Sequence, residues 1–183
     1  MSILADKYYE MTIAGLKRQL PICEVNEHLD IAAFVIFGDT ELTEACAKEL
    51  LAKAPEFDYI LTPEAKGIPL GYEMSRQSGK KYFVARKGKK LYMKEPFGVE
   101  VKSITTVNVQ HLYLDKTEAD QMKGKRVLVV DDVISTGESL SAVERLLNKA
   151  GANIVAKAAV LAEGDAAQRS DILFLEPLPL FTK

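Results

Sequence analysis

The sequence is short of the residues from which most metal and redox centres are built. It has two cysteines and two histidines in 183 residues. Cys23 and Cys46 lie in separate segments without CxxC spacing, and His28 and His111 have no partner at ligand spacing. A Cys/His metal centre is thereby excluded, and both thiols are expected to be free and packed as small hydrophobes. Long apolar runs are missing as well. None approaches the roughly 20 residues that cross a bilayer, and the start "MSILADKYYEMT" has neither the basic end nor the apolar core of a secretory signal. These absences predict a cytoplasmic location with no membrane partner. Charge of one sign is also lacking: 24 Lys and Arg stand against 26 Asp and Glu, a formal net charge of -2. No global basic field gathers DNA, so any phosphate must be held by local clusters.

What is present is a globular composition, 48% hydrophobic and 27% charged, which predicts one domain over residues 1–183. Strand and helix signals alternate from about residue 40 and predict a mostly parallel α/β sheet covered by helices. Helical spacing runs over 40–54 with Thr40 as the cap, and over 67–77 with Pro69 in the first turn. Buried strands are expected at 58–62, 81–85, 125–130 and 154–161. The β-branched stretch 99–114 reads as two antiparallel strands bending near residues 105–108. After the strand at 125–130, Leu140, Val143, Leu146, Leu147 and Ala150 form one helical stripe that ends at Gly151. The tail 171–181, broken by Pro177 and Pro179, predicts a strand followed by an extended segment.

In open parallel sheets, ligands bind beyond the carboxyl ends of the strands. Three unusual turns fall there: "TPEAKG" (62–67), "ARKGKK" (85–90) and "DDVISTGES" (131–139). In the last, Ser135, Thr136, Gly137, Glu138 and Ser139 offer hydroxyls, a residue free to take positive φ, and N–H groups at a helix start. That describes an anion cradle. Asp131 and Asp132 beside it cannot bind the same anion, but carboxylates accept well from a sugar diol. Hydroxyls and a phosphate a few residues apart describe a ribose 5-phosphate.

The stretch "VLVVDDVISTGES" resembles the signature of the type I phosphoribosyltransferases: an apolar strand, two acidic residues, then Thr-Gly and a small residue. The resemblance implies that fold, with a small hood over the base from about 1–36 and 163–183 and a flexible β-lid at about 88–114. It implies that Asp131 and Asp132 take the ribose hydroxyls of phosphoribosyl pyrophosphate and form the catalytic pair, while Ser135 to Ser139 take the 5-phosphate. "TPEAKGIPLG" is similar to the family's pyrophosphate loop, so Glu64, Ala65, Lys66 and Gly67 are expected to turn N–H groups to the diphosphate. "ARKGKK" resembles a stretch in the adenine and xanthine enzymes, which adds Arg86, Lys87 and Lys90. Mg²⁺ is implied as a cofactor carried by the substrate, with no protein ligand of its own, and a homodimer as the assembly.

Hypoxanthine-guanine members usually carry Asp at the fifth motif position, where this chain has Ser135. A small residue there fits the adenine and xanthine enzymes better, so adenine is expected first and xanthine next. The lid glutamate of adenine enzymes has no matching pattern here, and Glu95 and Glu100 are the substitutes on offer. Two rivals remain to be weighed. A receiver domain also carries "VLVVDD", but needs about 100 further residues, and only 51 follow Asp132. A non-catalytic regulator sensing the same ligand, and binding nucleotide or RNA, would call for a basic face that the net charge does not favour.

Overall fold

The computed structural model describes residues 7–101 and 110–183. The chain opens with three antiparallel strands, β1 (Tyr8–Ile13), β2 (Leu16–Asn26) and β3 (Leu29–Ala32). Helix α1 (Thr40–Lys53) follows, then strand β4 (Tyr59–Pro63), helix α2 (Ile68–Ser78) and strand β5 (Tyr82–Ala85). A hairpin of β6 (Pro96–Val101) and β7 (Gln110–Asp115) leads into the short helix α3 (Lys116–Met122). The second half runs through β8 (Arg126–Ile134), α4 (Glu138–Ala150), β9 (Asn153–Glu163), a 3-10 turn over Gly164–Gln168, β10 (Leu173–Leu178) and β11 (Leu180–Thr182).

The central sheet has the order β10-β9-β8-β4-β5, and every pairing in it is parallel. Its strands bury both faces, as their unbroken apolar runs require. Ile60, Leu128 and Val130 pack with Leu42 and Leu50 of α1 and Leu70 and Met74 of α2 on one side. Leu61, Val127 and Val129 pack with Leu146 and Leu147 of α4 and Met122 of α3 on the other. Full burial of such a side chain contributes roughly 1.5–3 kcal/mol, so two covered faces supply the stability that leaves a strand end free for polar groups. Cys46 lies in the first of these cores, where burial pushes its thiol up to about 12. Cys23 is exposed, and both thiols are free.

Several boundaries differ from the sequence reading for identifiable reasons. The cap of α1 is Asp39, not Thr40: its carboxylate accepts from Leu42 N at 3.1 Å and is held by Arg18 at 2.6 Å. Strand β8 continues past residue 130 through Asp131 and Asp132, because β9 is long enough to pair with it as far as Ile134. Helix α3 is an addition, built on a capping box between Asp115 and Glu118. The tail after β10 is a strand in its own right. β11 pairs with β3, and so completes a four-stranded antiparallel sheet in the order β1-β2-β3-β11. Pro177 is accommodated because β10 is the edge of the central sheet. The bend expected near 105–108 lies outside the described residues. Among those residues, no helix is long and apolar enough to cross a membrane.

Candidate active site

The carboxyl ends of β4 and β8 open into a cavity of about 590 Å³, within the range of roughly 300–1,000 Å³ usual for ligand sites. Its floor is residues 131–140, one wall is residues 63–66 with Lys87, and the roof is residues 31–35, at and just after the end of β3, with Leu178 at the end of β10. His111 and Leu112 of β7 reach it from the hairpin.

At the floor, the end of β8 places two carboxylates side by side. Asp132 is only 4% exposed, and its Oδ2 lies 2.8 Å from Lys66 Nζ. The ammonium meets that oxygen as a charge and not in hydrogen-bond geometry, which leaves a buried acceptor with open lone-pair directions. The Lys66 side chain is half exposed and also reaches Phe34 O at 3.4 Å, so one cation ties floor to roof. Asp131 Oδ1 accepts from Asp132 N at 2.9 Å. Burial raises the Asp131 carboxyl well above the usual carboxylate range, and the neighbouring Asp132 charge raises it further.

The loop beyond the pair turns through Gly137, where φ is +80°. Glycine is required there twice over, since a Cβ would be strained at that φ and would also stand 2.7 Å from Arg169 Nη1. Helix α4 starts at Glu138 directly behind the loop, so its positive end and first N–H groups sit at the cavity. Gly67 performs a different task. A Cβ on it would collide with Thr62 Oγ1 and stand 3.0 Å from Asp131 Oδ1. Its absence lets the start of α2 close onto the acidic pair.

The structure thus brings Glu64, Ala65, Lys66, Lys87, Asp131, Asp132 and all of Ser135 to Ser139 to one cavity. Gly67, Arg86 and Lys90 are not among its lining residues. Arg86 lies beside Glu64, with Nε 3.3 Å from Glu64 Oε2 as a charge contact and not a hydrogen bond, and its backbone pairs with Tyr113. One expectation is corrected: the Glu64 N–H is not free for a diphosphate, because it donates to Ala85 O at 2.9 Å in the β4–β5 pairing. The Glu64 carboxylate accepts from Lys87 N at 2.9 Å. Burial pushes it up, but this N–H and the Arg86 and Lys90 charges hold it below its usual range. Glu95 and Glu100 do not line the cavity, and Gly98 lies tightly against the Tyr113 ring. Sequence reasoning expected a hood from about 1–36 and 163–183 but named none of its residues, among them those at 31–35, Glu163 and Arg169. None lies in a motif, and only strand pairing brings them near.

A family profile described as phosphoribosyl transferase domain matches residues 40–176. The chain belongs to the phosphoribosyl transferase family. Its similarity to curated members is substantial: it is 36% identical over 130 residues to the hypoxanthine/guanine phosphoribosyltransferase of Methanococcus voltae, covering 71% of this chain and 66% of that protein. It is 37% identical over 103 residues to the adenine phosphoribosyltransferase of Thermotoga petrophila, covering 56% and 58%. The chain therefore spans less than two thirds of the length of these two relatives. Among solved structures, the adenine phosphoribosyltransferase of Thermoanaerobacter pseudethanolicus superposes with a TM-score of 0.66 at 22% identity, over 93% of this chain and 95% of that one. The Trypanosoma brucei adenine enzyme, solved with AMP, pyrophosphate and ribose 5-phosphate, gives 0.65 at 19% identity, over 79% and 66%. At those identities the likeness establishes the type I phosphoribosyltransferase fold.

Proposed function

We propose that this chain is a cytoplasmic purine phosphoribosyltransferase, which moves the 5-phosphoribosyl group of phosphoribosyl pyrophosphate onto a purine and releases pyrophosphate. The observation that carries this reading is a single cavity holding both the acidic pair and the loop 135–139. Asp131 and Asp132 accept from the ribose 2- and 3-hydroxyls, while the hydroxyls and N–H groups of Ser135 to Ser139 hold the 5-phosphate. Ala65, Lys66 and Lys87 face the diphosphate, and Arg86 and Lys90 act through the Glu64 carboxylate that they stabilise. The site is two-ended, as its ligand is.

A ring nitrogen of the base attacks C1, the bond from C1 to pyrophosphate oxygen breaks with its electron pair leaving on oxygen, and the ring proton of the base passes to solvent water. Positive charge grows on the ribose, where Asp131 and Asp132 supply a negative field. Among the described residues, no three His, Cys, Asp or Glu side chains gather as a metal cage. Mg²⁺ would arrive on the diphosphate of the substrate, with no ligand of its own from the protein, and would supply positive charge to the leaving group when bound.

Adenine is the favoured base and xanthine the next, on the ground of the small Ser135. The named relatives include both adenine and hypoxanthine/guanine enzymes, so the base stays within the purines. The test offers adenine, xanthine, hypoxanthine, guanine, uracil and orotate separately with Mg²⁺ and phosphoribosyl pyrophosphate, and follows pyrophosphate release. Turnover with a purine supports the reading. No release with any base, alongside saturable binding of phosphoribosyl pyrophosphate, would replace it with a sensing role. A homodimer completes the proposal, and mass by light scattering tests it.

A further inference from the structure

The 3-10 turn between β9 and β10 leads into Arg169, whose side chain reaches the back of the phosphate loop. Its Nη1 lies against Gly137, 2.7 Å from the point where a Cβ would stand. The Gly137 carbonyl already accepts from Ser141 N at 2.8 Å, so the oxygen of the turn is committed to α4 and the guanidinium faces the space that glycine leaves open. The direction of the guanidinium is fixed. Its Nε and Nη2 donate to the two oxygens of Asp171 at 2.9 and 2.8 Å, and this fork leaves Nη1 pointing away from the carboxylate. Asp171 is shared with Lys157 of β9 at 2.5 Å, and Lys157 with Glu144 of α4 at 2.8 Å. Charges therefore alternate outward from Gly137 through Arg169, Asp171, Lys157 and Glu144. The end that faces the loop is positive.

Two cations divide the Asp171 charge, so the Arg169 charge is not cancelled by its partner alone. The Lys157 side chain is only 15% exposed, which braces the network against the sheet. Arg169 itself does not line the cavity. The loop backbone therefore stands between the guanidinium and a bound anion, and any action of Arg169 passes through the loop. On the cavity side, the N–H groups of the loop and the positive end of α4 address an anion. We propose that Arg169 is a positioning residue for the 5-phosphate: from behind Gly137, its charge strengthens the cradle for the doubly charged phosphate monoester of the ligand. This rests on the phosphoribosyltransferase reading and deepens it. The second glycine constraint at position 137 then has a purpose, since only a residue without a side chain lets the cation come this close to the turn.

The experiment measures Kd for ribose 5-phosphate and for pyrophosphate in the wild type, Arg169→Met and Arg169→Lys, with a melting curve for each. Kinetics are recorded with phosphoribosyl pyrophosphate, Mg²⁺ and whichever purine the wild type turns over fastest. At low salt, methionine should weaken ribose 5-phosphate by roughly 5- to 20-fold. KM for phosphoribosyl pyrophosphate should rise in step while kcat stays within about twofold, because the phosphate is held alike in ground and transition states. Lysine keeps the charge without the fork and should recover part of the loss. Pyrophosphate affinity should stay within about twofold, since that ligand occupies the other end of the site. The Arg169 side chain is 31% exposed, so salt reaches it. In about 1 M KCl, where the Debye length is about 3 Å, the methionine deficit should shrink by at least about half, whereas a merely structural brace would leave it unchanged. If methionine lowers the melting temperature, Arg169→Gln, which stays polar beside Asp171 without the charge, decides. Wild-type ribose 5-phosphate affinity in a folded variant, a deficit that salt does not reduce, or an equal loss of pyrophosphate affinity overturns the proposal while leaving the phosphoribosyl reading standing. A wild type that binds neither ribose 5-phosphate nor phosphoribosyl pyrophosphate overturns that reading, and the proposal with it.

Discussion

At its first residue, β8 carries Arg126, whose guanidinium meets Asp58 at 2.9 Å and Glu56 at 3.2 Å while its backbone N–H also donates to Asp58. At its far end the same strand carries Asp131 and Asp132, like charges side by side with a buried oxygen that no hydrogen bond reaches. The Arg126 hydrogen bonds hold the Asp58 carboxyl down at about 2. Burial and Asp132 drive Asp131 the opposite way. One edge of the sheet is satisfied within the protein, and the other is left incomplete for a ligand. The contrast teaches where this fold keeps its stability and where it gives some up.

The sharpest way to break the contrast is Asp131→Asn with Asp132→Asn. If the carboxyl end exists for a ligand, pyrophosphate release should fall by at least roughly 10²–10³-fold, the scale of removing an electrostatic partner of the transition state. The melting temperature should hold or rise, because buried repulsion is removed. Retained turnover, or collapse of the fold, would show that this edge is as structural as the other.

Next in size is Gly67→Ala. The added methyl must displace Thr62 or Asp131, and overpacking of this kind costs about 1–3 kcal/mol. Chemical denaturation measures that loss. Activity should fall by more than stability explains, since the displaced atoms belong to the acidic pair.

A smaller effect concerns pH. Asp131 has a folded-state value above its unfolded one, so between the two values the folded chain holds more protons and stability declines as pH rises. In Asp131→Asn alone that decline should disappear, so the variant should gain on the wild type at neutral pH and match it in acid. Melting curves across pH check this, and parallel curves for the two proteins would contradict it.

Asp58→Asn should give the smallest change. The Asp58 value is depressed when folded, so its contribution is present above the ordinary carboxylate value and is lost as pH falls through about 2. The variant should lose some stability at neutral pH, differ less from the wild type in strong acid, and keep full turnover. A clear drop in pyrophosphate release would mean that the two edges are not independent.

Much of the sheet was legible in the sequence because its signals are local. "RVLVV" reads as a strand buried on both faces, Gly151 stops α4, and the Thr-Gly turn follows two carboxylates within one stretch. The hood was not legible as a sheet. β1, β2 and β3 alternate weakly, and their fourth partner is Leu180–Thr182 at the other end of the chain. Glu163 and Arg169 carry no local signal, because nothing in their neighbours in sequence shows what stands across from them. Glu64 was misjudged for a related reason: whether its N–H is free depends on β5, whose pairing a local motif does not reveal.

By itself the sequence determined the acidic pair, the glycine turn after it and the apolar run that delivers both, since spacing along one strand and one helix start is fixed by backbone geometry. Tertiary structure alone decided that residues 31–35, Leu178 and Glu163 share a cavity with that motif, that Lys66 bridges its floor and roof, and that Arg169 stands behind Gly137. Those relations come from strand order and register between segments far apart in the chain, and local propensity carries no information about either.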